Sequence, residues 1–213
     1  MTGWAHIDPP WDQRIARVLV KPLTRTPVTP NQVTTVSLIC GVAGGVLLAF
    51  GGTAMGWGAL LYVLAQFIDH MDGELARATG QTSVFGHYYD HIAGGVFEFM
   101  MFAGLGIGLQ QAAFAPFGVA ALGPWASAMG FVAALSVAVT VTIRMEIFRR
   151  FGRDAIDQPG WGGFEIEDIM YIVGPLAWFG GLEVFLLLAA IGTPVFMVMT
   201  VWEFMARSAG KKP

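Results

Sequence analysis

Asp69-His70-Met71-Asp72-Gly73-Glu74-Leu75-Ala76-Arg77, then eight residues to Gly86 and on through His87, Tyr88 and Tyr89 to Asp90, is the stretch on which the reading of this chain turns. It crowds charge into two segments that are otherwise apolar enough to enter a bilayer. Ionisable groups inside spans cost about 2.5 to 3.5 kcal/mol each on insertion scales and are functional by default. Asp69 and Asp72 are three apart, which puts both carboxylates on one face of a helix near its end; Gly86 and Asp90 are four apart on the next helix. A turn around Thr79 to Thr82 folds the two helices antiparallel and returns Asp90 to the depth of Asp69 and Asp72. Left alone, three converging carboxylates repel and take up protons. A hard divalent cation bound through oxygen, Mg²⁺ or in its place Mn²⁺ or Ca²⁺, removes the conflict.

The rest of the chain fits a multi-pass membrane protein. It has 213 residues, 55% of them hydrophobic and 13% charged, with a formal net charge of −3 and a mean hydropathy of +0.60. Soluble domains carry roughly 25% charged residues, so a soluble globule, a disordered segment and a nucleic-acid binder are all excluded. Cys40 is the single cysteine and cannot close an intramolecular disulfide, so nothing points to an oxidising compartment. The first thirty residues have Trp4, Asp8, Pro9, Pro10 and Trp11 where a signal peptide has a basic start and an apolar core, and no cleavable signal is expected.

A span needs about 20 mostly apolar residues. That filter leaves six, near 33–51, 56–77, 83–110, 127–150, 168–181 and 184–205, in one all-α integral membrane domain covering 1–213. The fifth is short and is interrupted by Gly174, Pro175, Gly180 and Gly181. Over 8–25, Trp11, Ile15, Val18, Leu19 and Pro22 against Arg14, Arg17 and Lys21 predict an amphipathic helix in the headgroup plane. The cations segregate. Arg14, Arg17, Lys21 and Arg25 precede the first span, and Arg77 ends the second. Arg144, Arg149, Arg150 and Arg153 close the fourth, and Arg207, Lys211 and Lys212 follow the sixth, while the intervening turns have none. Lys and Arg in short loops stay inside, so an even number of spans with both termini cytoplasmic is expected, in the cell (inner) membrane. The pairs Gly41/Gly45 and Gly104/Gly108 read as close helix packing, and Phe97, Phe99, Met100, Met101 and Phe102 as lipid or core contacts. Gly73 and Gly86 leave open backbone beside the carboxylates, where a bulky ligand can approach.

The string Asp69-x2-Asp72-Gly73-x2-Ala76-Arg77-x8-Gly86-x3-Asp90 resembles the signature of the CDP-alcohol phosphotransferase family at seven fixed positions. Thr29-Pro30-Asn31-Gln32-Val33-Thr34, before the first span, also resembles the family, and the likeness runs over roughly residues 20 to 150. The resemblance implies transfer of a substituted phosphate from a CDP-linked donor to an alcohol with release of CMP, in phospholipid biosynthesis, by a homodimer among membrane lipids. It also implies Asp69, Asp72 and Asp90 as ligands of two divalent ions, and Gly73, Ala76, Arg77 and Gly86 around the nucleotide. The family signature ends on a fourth aspartate, the general base for the acceptor hydroxyl, and this chain has Gly94 there.

Several groups could stand in for that base. Glu98 shares the face of Asp90 but lies about 12 Å deeper. His91, next to Asp90, carries an imidazole, the side chain most often used as a general base, and is the preferred candidate, against a bland role as a hydrogen-bonding neighbour. His70 and His87 read as polar rim residues. Glu165, Glu167 and Asp168 follow the glycine-rich loop holding Gly160, Gly162 and Gly163; Asp168 reads first as a charge favoured at a helix start, and second as part of a cluster that closes over the site. Arg144, Arg149, Arg150 and Arg153 read mainly as topology signals, with phosphate binding as the alternative. Two rivals stand beside the enzyme: a family member that binds nucleotide and metal without turnover, and a transporter with a carboxylate relay, which needs no such spacing.

The charge segregation is directly testable. With Cys40 replaced by Ala, labelling of right-side-out vesicles should find Ala155→Cys protected and Gly123→Cys accessible; the reverse pattern refutes the orientation.

Overall fold

The computed structural model describes residues 11–114, 118, 120–152 and 166–210. They form helices α1 (Trp11–Leu19), α2 (Pro30–Ala49), α3 (Ala54–Thr79), α4 (Val84–Gly108), α5 (Pro124–Phe151), α6 (Val173–Phe179) and α7 (Leu182–Ser208). Short 3₁₀ segments occupy Leu23–Arg25 and Ile166–Ile172. Four of the helices, α2, α4, α5 and α7, are long and apolar enough to cross a membrane. α3 has the length at 26 residues, but Asp69, His70, Asp72, Glu74 and Arg77 load its C-terminal part with polar groups. The region expected as the fifth span is 3₁₀ over Ile166–Ile172 before it becomes α6, which stops at Gly180 and Gly181 with φ of +95° and +109°. The looser 3₁₀ rise lets these two short pieces, wound end to end, extend about 25 Å at most.

Local chemistry fixes the ends that matter. Thr29 and Gln32 form a capping box in which each backbone N–H donates to the other's side chain, and Pro30 occupies the first turn, so α2 starts at a defined point. α3 ends on Gly80 in the left-handed region at φ +68°. Ser83 then caps α4, its hydroxyl accepting from the Gly86 N–H at 2.9 Å. The hairpin predicted around Thr79 to Thr82 is thus a glycine stop followed by a serine start.

α2 packs against both α3 and α4, α4 against α5, and α5 against α7, while α1 and α6 lie on α3. Glycine makes the close crossings possible. A Cβ on Gly104 would overlap the Gly45 carbonyl oxygen, and one on Gly41 would overlap the Phe97 side chain. Gly44 and Gly58 face each other across α2 and α3, as Gly106 and Gly130 do across α4 and α5. The packing role expected for Gly41, Gly45, Gly104 and Gly108 is what the structure has. Tyr62, Phe97, Met101, Phe102 and Leu105 fill the fully buried centre. Large apolar side chains such as Ile39, Leu188 and Trp202 cover the outside.

Of the helix expected over 8–25, α1 covers Trp11–Leu19, and residues 8–10 lie outside the described residues. Trp11, Ile15, Val18 and Leu19 are exposed, whereas Asp12 and Ala16 face α3 and are fully buried. Burial works to raise the Asp12 carboxyl, but hydrogen bonding and charge from His70, with donation from Gln13 N–H and the Tyr171 hydroxyl, hold it below its ordinary value.

Overpacking a close crossing costs about 1–3 kcal/mol. Gly104→Ala should therefore lower the thermal midpoint in detergent, while Gly192→Ala, whose Cβ meets nothing within 4 Å, should leave it unchanged; equal behaviour contradicts the packing assignment.

Candidate active site

The carboxylates of Asp69, Asp72 and Asp90 meet where the α3–α4 hairpin closes. One ligand oxygen from each lies within 4.8 Å of the others, as the spacing predicted. Asp72 is the most enclosed, 4% exposed, and accepts a short hydrogen bond from the hydroxyl of Thr34. The same hydroxyl oxygen lies 3.2 Å from the Pro30 carbonyl, an alternative acceptor for its one proton, so the start of α2 sets the height of this contact. A donor set of three oxygens from separate carboxylates, gathered in one corner, suits a hard divalent cation.

Beside the carboxylates opens a cavity of about 460 Å³. Gly73, Ala76, Arg77 and Gly86, the four residues expected around a nucleotide, all line it together with Asp72 and Asp90. Asn31, Thr34, His87 and Phe148 are also among its lining residues. A Cβ on Gly86 would come within 3.0 Å of Ser83 Oγ and 3.3 Å of Asn31 Oδ1, whereas one on Gly73 would make an ordinary contact with Arg77. His91 does not line the cavity. Its Nδ1 is 3.7 Å from Asp90 Oδ2 and its ring is 4.2 Å from that of His87, which does. Gly94 is flanked by open space, a Cβ there meeting nothing within 4 Å.

Several expectations change. His70 is no rim residue: its Nε2 lies 2.8 Å from Asp12 Oδ2, on the side of α3 turned to α1. Asp168 sits in the first turn of the described 3₁₀ segment that leads into α6, and gathers with Asp12 and His70 within 4.8 Å. Arg149 makes a bidentate pair with Glu146 at 2.7 Å through both Nε and Nη2, and Arg150 joins the same carboxylate. Glu165, Arg153 and the loop glycines 160, 162 and 163 lie outside the described residues, as does the side chain of Glu167. The sequence reading missed Thr34 as a partner of Asp72, Glu74 as a buried carboxylate between two arginines, and Phe148 as a cavity wall. Thr34 could have been found as a hydroxyl one turn inside an apolar span. Phe148 had no local signal.

A helical bundle with membrane-spanning helices and a carboxylate-edged cavity of nucleotide size at the hairpin end defines a membrane protein built around a polar ligand site. The chain belongs to the CDP-alcohol phosphatidyltransferase family, whose profile matches residues 27–206. Among curated relatives, a bifunctional IPC transferase and DIPP synthase of Thermococcus kodakarensis is 34% identical over 41% of this chain and 18% of its own length. A protein of the same description from Rubrobacter xylanophilus is 35% identical over 49% of this chain and 29% of its own. The matches thus span less than a third of either relative. The crystal structure of Mycobacterium tuberculosis phosphatidylinositol phosphate synthase with CDP-DAG bound shares the fold, with a TM-score of 0.60 and 23% identity, over 89% of this chain and 94% of that one.

Removing a charged ligand should matter more than removing its outer partner, which typically costs 10- to 100-fold in metal affinity. We expect Asp72→Asn and Asp90→Asn to weaken Mg²⁺ or Mn²⁺ binding by about 100-fold or more, and Thr34→Val by about 10-fold. Unchanged affinity by calorimetry in both aspartate variants removes the metal assignment.

Proposed function

We propose that this chain is a divalent-metal-dependent CDP-alcohol phosphotransferase of phospholipid biosynthesis. The observation that carries the reading is the meeting of Asp69, Asp72 and Asp90 at the edge of a cavity lined by Gly73, Ala76, Arg77 and Gly86. In this reading the cytidine diphosphate of the donor lies in the cavity, with the Arg77 guanidinium against its phosphates. The glycines admit it without a side chain in the way. Asp69, Asp72 and Asp90 hold two divalent ions, Mg²⁺ by preference, which supply charge to neutralise the diphosphate and stabilise the departing phosphate. The acceptor hydroxyl oxygen forms a bond to the phosphorus that bears the donor's own alcohol. The bond from that phosphorus to the bridging oxygen breaks, CMP leaves with the electron pair, and the hydroxyl proton passes to a base.

Our candidate for that base is His91, whose ring neighbours His87 on the cavity wall. α3 and the 166–179 segment count as the two further spans, giving six, with the termini on the cytoplasmic side and two chains per enzyme. A second reading is supported by the open space at Gly94: a member of the family whose donor site is intact and whose turnover was lost with the fourth aspartate.

One assay separates the two. CMP release is measured with Mg²⁺ and a panel of CDP-linked donors and alcohols. If His91 is the base, the unmodified chain turns over and Gly94→Asp leaves the rate flat or lower. General-base catalysis contributes about 10²- to 10⁴-fold; a gain of that size in Gly94→Asp, from an unmodified chain at background for every donor, establishes the second reading instead.

A further inference from the structure

The two sides of the α3 turn that bears the carboxylates are wired differently. At 100° per residue, Asp69, Asp72, Gly73 and Ala76 cluster on one side of α3 and His70, Glu74 and Arg77 on the adjoining side, with Arg77 next to Gly73 at the boundary. The second side is where α1 docks. Asp12, fully buried near the start of α1, meets His70 at 2.8 Å and accepts from the Tyr171 hydroxyl at 3.1 Å. Five residues further along α1, Arg17 Nε donates to Glu74 Oε2 at 3.0 Å. The other oxygen of Glu74 accepts from Arg77 Nη2 at 2.8 Å. Glu74 is 5% exposed, so a single enclosed carboxylate carries one guanidinium from the amphipathic helix and one from the wall of the cavity.

We propose that Glu74 is a positioning residue that couples the seating of α1 to the donor site: by sharing its carboxylate between Arg17 and Arg77, it lets the docked amphipathic helix set where the Arg77 guanidinium stands in the cavity. The inference rests on the proposed reading of that cavity as a site for a CDP-linked donor. Each half of the bridge constrains the other. With Arg17 in place, Glu74 Oε2 is occupied and only Oε1 faces Arg77, which fixes one geometry for the guanidinium. With Arg17 withdrawn, both oxygens are open to Arg77, and a bidentate fork can draw it back along α3, away from an incoming phosphate. α1 presents Trp11, Ile15, Val18 and Leu19 outward on the side opposite Asp12 and Ala16, so contact with a bilayer surface stabilises the docked state. The cavity is thereby tuned for donor only when the helix lies on the membrane.

Truncating Glu74 leaves two guanidiniums beside an emptied buried position and endangers the fold, so the test uses Arg17, whose side chain is half exposed. CDP is titrated with Mg²⁺ present into the full-length protein in lipid nanodiscs, and thermal midpoints are recorded on the same samples. Linked sites are typically coupled 5- to 150-fold: Arg17→Gln should weaken CDP binding about 5-fold or more, with the thermal midpoint unchanged. Arg17→Lys should return affinity to within about 2-fold, because the contact is made at Nε, within the reach of a lysine ammonium. Lys21→Gln removes an exposed cation near the same helix without touching Glu74 and should leave affinity as it was. Normal CDP affinity in Arg17→Gln, while Asp72→Asn abolishes binding, overturns the coupling and leaves the donor site standing. A loss in Arg17→Gln that tracks a lowered thermal midpoint and is not restored by lysine also overturns it. An unmodified protein that binds no CDP overturns the reading of the cavity and the coupling together.

Discussion

Everything in this fold answers to one constraint, the desolvation of carboxylates in a bundle that otherwise excludes charge. A carboxylate in a low-dielectric interior must be compensated, because its Coulomb energy is large there and its lost hydration is not returned by packing. Asp69, Asp72 and Asp90 are collected from two helices into one corner, and that requires a short hairpin, a fixed starting point for α2, and helix axes close enough to keep the corner closed. Gly80 and Ser83 supply the hairpin, the Thr29–Gln32 box supplies the starting point, and the Gly45–Gly104 crossing supplies the closeness. At the Gly45–Gly104 crossing a side chain would overlap the facing backbone, so the approach of α2 and α4 depends on glycine there.

How much of this was legible follows from the range of each interaction. The hairpin, the helices and the meeting of the three aspartates depend on spacings of three, four and eight residues, and local periodicity carries them. The glycine crossings were legible because small residues four apart signal a backbone approach. The Thr34–Asp72 contact joins positions 38 apart and the Tyr171–Asp12 contact positions 159 apart; no local pattern encodes such pairs. His70 was misplaced for that reason: it was assigned a role from its own helix, as a rim residue, when its partner Asp12 sits on α1. The fifth span was ambiguous because its breakers act unequally: α6 runs through Gly174 and Pro175 and stops at Gly180 and Gly181, while the helix-type change over Ile166–Ile172 has no local signal.

The amphipathic helix illustrates how a correct pattern can conceal half of its content. Its exposed residues Trp11, Ile15, Val18 and Leu19 are those an interfacial helix would lay on a bilayer. Its charges do not simply form the wet face: Asp12 is fully buried and Arg17 reaches the enclosed Glu74. A short helix held only by a lipid surface would slide and rotate. Two polar anchors at opposite ends of α1 remove both freedoms and set its register against α3. Hydrogen-bonded ion pairs contribute little net stability when buried, since desolvation offsets most of the attraction, but they discriminate strongly between registers.

The carboxylates of α3 are therefore sorted by the company each keeps. Asp72 accepts from a neutral hydroxyl, that of Thr34, which orients the group without cancelling its charge. Glu74, two residues later and just as enclosed, is held by two guanidiniums, Arg17 and Arg77. An anion with a neutral partner keeps its field for a cation still to come, while an anion between two cations has none to spare and serves as a strut. The distinction arises from helix geometry, because a step of two residues turns the side chain by 200° and moves it from the side facing α2 to the side facing α1. One turn of helix can in this way carry a charged site and its mechanical support on adjoining faces, with Arg77, which lines the cavity and bonds Glu74, joining the two.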